Sequence, residues 1–139
     1  MELIFKSQFV EIFFSAEKSL ICDVWSRETA QMEEDEFKQT LLVLLNLAFD
    51  KGAEVELSDS RNMMFPVTPD LQAWIVEHMN RPASAAGFRK VAFLRPTEFI
   101  ERLSIEQVVA EFQELEASGG YRSAYFDEYD KAEKWLLAK

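Results

Sequence analysis

Cysteine and histidine are almost absent from this chain: Cys22 and His78 stand alone among 139 residues. A single cysteine forms no internal disulfide and has no CxxC partner, so a disulfide framework and a Cys- or His-rich metal site are both excluded. Cys22 falls within the apolar alternation Leu20-Cys22-Val24 and is expected to pack as a small hydrophobe, a usage that fits a reducing cytoplasm. Glycine is scarce as well. Gly52, Gly87, Gly119 and Gly120 build no phosphate loop, which leaves a Rossmann or P-loop nucleotide site unsupported. Basic residues are outnumbered, 15 Lys and Arg against 25 Asp and Glu, giving a net charge of −10. A chain of that sign repels phosphate backbones and anionic lipid, so nucleic acid is not expected as a partner. The longest apolar run, Leu41 to Leu45, is far too short to cross a bilayer, and Met1 to Lys6 lack the basic-then-apolar order of a signal peptide. A cytoplasmic location is expected.

What the chain does have is apolar mass. It is 48% hydrophobic with twelve Phe, three Trp and three Tyr, enough for a core, and its length suits a single domain over residues 1–139. Phe9 to Phe14 and Leu20 to Trp25 are β-branched and aromatic-rich and flank the polar turn Ser15–Ser19, which predicts a hairpin; Leu3-Ile4-Phe5 can add a short strand before it. The acidic turn Glu33–Glu36 opens a helix whose Phe37, Leu41, Leu44, Leu45, Ala48 and Phe49 recur at helical spacing, with Gly52 as its stop. Val55 and Leu57 alternate with Glu54, Glu56 and Ser58, the pattern of a half-buried strand.

Thr68-Pro69-Asp70 is a helix start with Thr as N-cap, and Pro82 is expected to end that helix. The continuous run Val91–Leu94 predicts a central strand buried on both faces. Thr97 opens a short helical stretch, and Ser104-Ile105-Glu106-Gln107 reads as a capping box starting a longer helix that Gly119-Gly120 breaks. Tyr121–Phe126 is a last strand, and Asp127 is expected to cap a terminal helix. Strand and helix in alternation after a hairpin predict an α/β fold: a mixed sheet, antiparallel at its N-terminal hairpin and parallel through the later strands.

Candidate chemistry is sparse. His78 lies on an apolar helix face with Trp74 and Ile75 and reads as a packed core-edge histidine; a Cys22–His78 dyad is the reactive alternative. Glu33 to Glu36 lack the ligand spacing of a calcium loop. Arg81, Arg89, Lys90, Arg95 and Arg102 read as partners of surface carboxylates or as a local anion patch. The segment from Leu57 to Pro69 stands out because it joins a strand end to a helix start, where open α/β sheets meet ligands and partners. Its candidate interaction residues are Asp59, Arg61, Met64, Phe65 and Thr68, with Met63, Met64 and Phe65 able to serve either as adaptable contacts or as a satellite core. Asp59 with Arg61 is also the least implausible start for a carboxylate-based activity.

Four stretches, taken together, resemble the SpoIIAA-like family, the STAS/Sec14-like domains: Leu57-Ser58-Asp59-Ser60-Arg61, Pro69-Asp70-Leu71-Gln72-Ala73-Trp74-Ile75, Arg89-Lys90-Val91-Ala92-Phe93, and Tyr125-Phe126-Asp127 leading to Ala132-Glu133-Lys134-Trp135-Leu136. The resemblance covers residues 9 to 137 and rests on the combination rather than on any one motif. It implies a four- to five-stranded sheet with packed helices and a non-enzymatic role without cofactor. In STAS domains that antagonise anti-sigma factors, an Asp-Ser-Ser-Gly turn carries a phosphorylated serine. That turn falls near Val67-Thr68-Pro69-Asp70, where only Thr68 keeps a hydroxyl. The expectation is therefore a regulatory or protein-interaction module. The alternative is a carrier or sensor of a small apolar or lipid-like ligand, in line with the Sec14 side of the resemblance. An apolar outer face on the hairpin would support a homodimer.

Overall fold

Three consecutive stretches of alternating β-branched and aromatic residues open the chain, and each finds its partner in the next. In the computed structural model, which describes all 139 residues, β1 (Glu2–Lys6), β2 (Val10–Ser15) and β3 (Leu20–Trp25) form an antiparallel meander. Thereafter helices alternate with strands: α1 (Glu34–Lys51), β4 (Val55–Asp59), α2 (Pro69–Ile75), α3 (Arg81–Ala85), β5 (Lys90–Leu94), α4 (Phe99–Glu116), β6 (Arg122–Phe126) and α5 (Tyr129–Leu137). Strands β3 to β6 are parallel, and the six strands lie in the sheet in sequence order. Because every crossover steps in the same direction and such connections are right-handed, α1, α2–α3 and α4 share one face. The terminal helix α5 covers the other, against β4, β5 and β6.

The period-two alternation of the strands separates two cores. Toward α5 point Leu20, Cys22, Val55, Leu57, Ala92 and Leu94, sealed by Ala132 and Leu136. Toward the three-helix layer point Ile12, Ile21, Trp25 and Val91, packed by α1, α2 and α4 side chains such as Phe37, Leu71 and Phe112. The helix ends follow local chemistry. Glu33 and Glu36 form a capping box at α1, Gly52 at φ 69° closes it in the left-handed conformation, and the Thr68 hydroxyl accepts from Leu71 N–H at 3.4 Å. No helix is long and apolar enough to cross a membrane.

The antiparallel hairpin, the parallel later strands and the doubly buried β5 match the sequence reading. Other elements differ, each for a physical reason. The sheet has six strands rather than four or five, since Glu2–Lys6 adds an edge strand to β2, with a register shift between Leu3 and Phe5. Pro82 does not end the helix that starts at Thr68. A π turn over Val76–Asn80, with Arg81 N–H reaching Val76 C=O, leads into α3, where Pro82 occupies the first turn and needs no donor. Residues 99–116 are one helix, not two; Ser104 is interior, its hydroxyl donating to Ile100 C=O at 3.1 Å instead of capping. Asp127 does not cap α5: both its oxygens are taken by Arg95 at 2.7 and 3.0 Å, and Glu128 is the N-cap residue. Finally, β4 is not half-buried. It lies between β3 and β5 with helices on both sides, so Ser58, Asp59 and Ser60 are all buried.

Candidate functional site

That last difference creates the most unusual place in the molecule. With β4 central, its polar alternation faces the three-helix layer rather than solvent. Register places Ile21 and Val91 on either side of Glu56, and Asp23 beside Ser58. Asp23, Glu56 and Ser58 thus share the helix-facing side of the sheet. Between them and the helices is a cavity of about 60 Å³. Its floor comes from Asp23 and Trp25 of β3, Glu56 and Ser58 of β4 with Ser60 just beyond it, and Val91 and Phe93 of β5. Its walls include Phe37, Leu41 and Leu44 from α1, Ile75 from α2, and Ile105, Val108 and Phe112 from α4. Met63 and Val67 close it from the segment after β4.

The polar floor is organised around Asp23. Trp25 Nε1–H donates to Asp23 Oδ2 at 2.7 Å, and Ser58 Oγ–H donates to the same oxygen at 2.6 Å. Asp23 Oδ1 is buried and has no N–H or hydroxyl donor. Burial pushes the Asp23 carboxyl above its ordinary value, opposed by hydrogen bonds from Glu56, Ser58 and Trp25. Burial pushes Glu56 well above its ordinary value, and the neighbouring Asp23 charge and hydrogen bond add to it. Two external donors favour the Asp23 anion, so Glu56 holds the shared proton and donates it toward Asp23. No cation acts on either carboxyl. One negative charge therefore sits in an apolar enclosure without a counter-ion. Nearby, the Ser60 hydroxyl lines the cavity, 1% exposed and without a partner. Tyr121 stays neutral, its phenol pushed well up by burial.

The residues singled out from sequence lie around this cavity rather than in it. Asp59 points to the opposite face of β4, the Leu57 side, and is held in a bidentate pair by Arg61 Nε at 2.9 Å and Nη2 at 2.8 Å. Its partner is spent on closing the strand end, and Thr97 N–H fastens the turn further by donating to Arg61 C=O at 3.2 Å. Met64 N–H donates to the Thr29 hydroxyl at 2.8 Å, and Phe65 stacks on Phe37 with centroids 4.7 Å apart, both side chains half-buried. Met63 and Val67 belong to the core. Thr68 is exposed, with its hydroxyl engaged as the helix cap. No family model, curated protein or solved structure matches the chain.

Other candidates separate. Cys22 and His78 lie on opposite sides of the sheet, which rules out a dyad. Cys22 is buried as expected. His78 is exposed rather than at the core edge, because the π turn rotates it outward to stack on Trp74 at 4.7 Å. The basic residues mostly disperse into pairs, Arg81 with Glu77 and both Arg95 and Arg102 with Glu106 and Asp127. Lys90 differs: it is buried and donates to Trp135 C=O at 2.8 Å and Ala138 C=O at 2.7 Å. Sequence reasoning missed Asp23, Glu56, Ser58 and Ser60. The available signal was phase: Asp23 alternates with Ile21 and Trp25, and a carboxylate in that register of a strand covered on both faces must be buried.

Proposed function

We propose that the protein binds a small, largely apolar molecule in the cavity beneath α1, α2 and α4, as a carrier or sensor rather than as a catalyst. One observation carries this reading: an apolar enclosure over β3, β4 and β5 whose floor holds a few polar groups, Asp23, Glu56, Ser58 and the unused Ser60 hydroxyl. Small-molecule sites are built this way, with apolar walls and a few placed polar groups. The resemblance to Sec14-like domains supports the same reading. The test is an NMR titration with n-butanol that follows the methyl groups of Val91, Ile105 and Val108. Shifts confined to these methyls are expected; shifts scattered over the surface, or none at all, would refute the cavity as a binding site.

A second reading, the regulatory interaction module, is favoured by a different observation. Phe99, Ile100 and Leu103 at the start of α4 are 73%, 57% and 43% exposed, next to the turn that Thr97 ties to Arg61. Contiguous exposed apolar side chains of this kind mark partner contacts. Under this reading Thr68, exposed at the start of α2, is the regulatory hydroxyl that the STAS resemblance implies. A partner recovered by wild type and lost with Phe99→Glu supports it; a partner set indifferent to that substitution refutes it.

A further inference from the structure

We infer that the polar end of the cavity's ligand is a singly charged organic ammonium group, held by Asp23 with Glu56 and Ser60 while its alkyl portion lies against the surrounding rings. This deepens the proposed function and rests on the cavity being a ligand site. Charge is the first ground. A carboxylate removed from water is costly unless a cation or a full set of donors compensates it, and Asp23 has two donors on Oδ2, no N–H or hydroxyl donor on Oδ1, and no cation. The chain spends none of its own Lys or Arg here, so the missing positive charge is available for a guest to supply.

Hydrogen-bond counting agrees. A primary ammonium carries three donors and no acceptor. The floor offers acceptors at Asp23 Oδ1 and the Glu56 carboxyl, and the Ser60 residue, 1% exposed with its hydroxyl unpartnered, lines the same cavity. The walls agree as well. Trp25, Phe37, Phe93, Phe112 and Tyr121 present five aromatic rings to the enclosure, and aromatic faces attract organic cations. An anion would meet the Asp23 charge, and a neutral guest would leave that charge uncompensated. A hard divalent ion needs about six oxygen ligands, and no group of three His, Cys, Asp or Glu is present to start such a shell. Size sets the last limit. At ~10–15 Å³ for each water-sized occupant, the cavity of about 60 Å³ takes a guest of roughly four to six heavy atoms.

The experiment compares n-butylammonium with n-butanol, equal in heavy atoms and differing in charge, by calorimetry and by the same methyl shifts. Wild type is expected to prefer the ammonium by about tenfold or more, the value of adding a charge-assisted hydrogen bond. Asp23→Asn is expected to abolish that preference while n-butanol still binds. Equal or tighter n-butanol binding by wild type would overturn the inference while leaving the cavity reading intact. A preference that survives in folded Asp23→Asn would overturn it also. If neither probe shifts the cavity methyls, the cavity reading itself fails. Should Asp23→Asn not fold, the wild-type ratio decides alone.

Discussion

Replacing Glu56 with Gln should make the protein more stable at neutral pH than wild type, by an amount that grows with pH. The native pair keeps one proton on Glu56, because burial and the Asp23 charge hold that carboxyl well above its ordinary 4.5. The unfolded chain releases both protons once the pH exceeds the ordinary values of 3.8 and 4.5. Above about pH 5 the native state therefore binds one more proton than the unfolded state, and stability falls by about 1.4 kcal/mol for each pH unit until the native pair itself ionises. Below the unfolded values both states hold the proton and the penalty vanishes. In the Glu56→Gln variant the side-chain amide donates an N–H toward Asp23 as the protonated acid did, and it has no proton to lose. Between about pH 5 and pH 7 the variant should gain on wild type at that slope for as long as the native pair keeps its proton, and each pH unit is then a sizeable share of the ~5–15 kcal/mol that holds a domain together. Urea unfolding followed by tryptophan fluorescence measures it, with equal m-values as the condition for comparison. Taking the difference between the two proteins cancels the titrating groups that do not interact with Glu56. A difference that is constant across this range, or that shrinks as pH rises, would refute the shared proton.

Three further expectations follow from other contacts. Lys90→Met removes both bonds to the last carbonyls of α5 and should cost about 1.5–3 kcal/mol, with a change in the emission of Trp135, whose ring lies 5.0 Å from the ammonium; an unchanged denaturant midpoint would show that α5 is not fastened there. Burial, then the charges of Asp23 and Asp59, push the Cys22 thiol far up, so a disulfide reagent should label it only as fast as the protein unfolds, and prompt labelling of folded protein would contradict the placement. Thr68→Ala should cost about 0.5–1 kcal/mol, the lower part of the N-cap range, because the capping bond is long at 3.4 Å; a larger loss would mean Thr68 does more than cap α2.

The mixed character of the sheet and most element types were legible because they depend on local pattern. Alternation in Val10–Ser15 and Leu20–Trp25, helical spacing from Phe37 to Ala48, and the Thr68-Pro69 start all act within a few residues. What was not legible depends on what lies across space. Glu56 and Ser58 look like the wet side of an edge strand until β5 is known to flank β4 and α1 to cover it. Pro82 and Ser104 carry breaking and capping tendencies that packing of Ala83 and Ile105 overrides. The segment from Asp59 to Thr68 does lie beside the site, but of Met63, Met64 and Phe65 only Met63 lines the cavity, joined by Val67. The alternation that identified the strands could not say which of their two faces would hold the polar floor.

Strand order that follows chain order also governs how the molecule can be assembled during synthesis. Each strand pairs with one already made, so the sheet can be extended one hydrogen-bonded neighbour at a time without waiting for distant sequence. The three-helix side is completed along with it. The opposite side is not: Leu20, Cys22, Val55, Leu57, Ala92 and Leu94 form a bare apolar strip whose cover, Ala132 and Leu136, is made last. A nascent chain that has finished β6 but not yet released residues 129–137 is a complete sheet with one greasy flank, and it is during that interval that the protein is most exposed to chaperones and to aggregation.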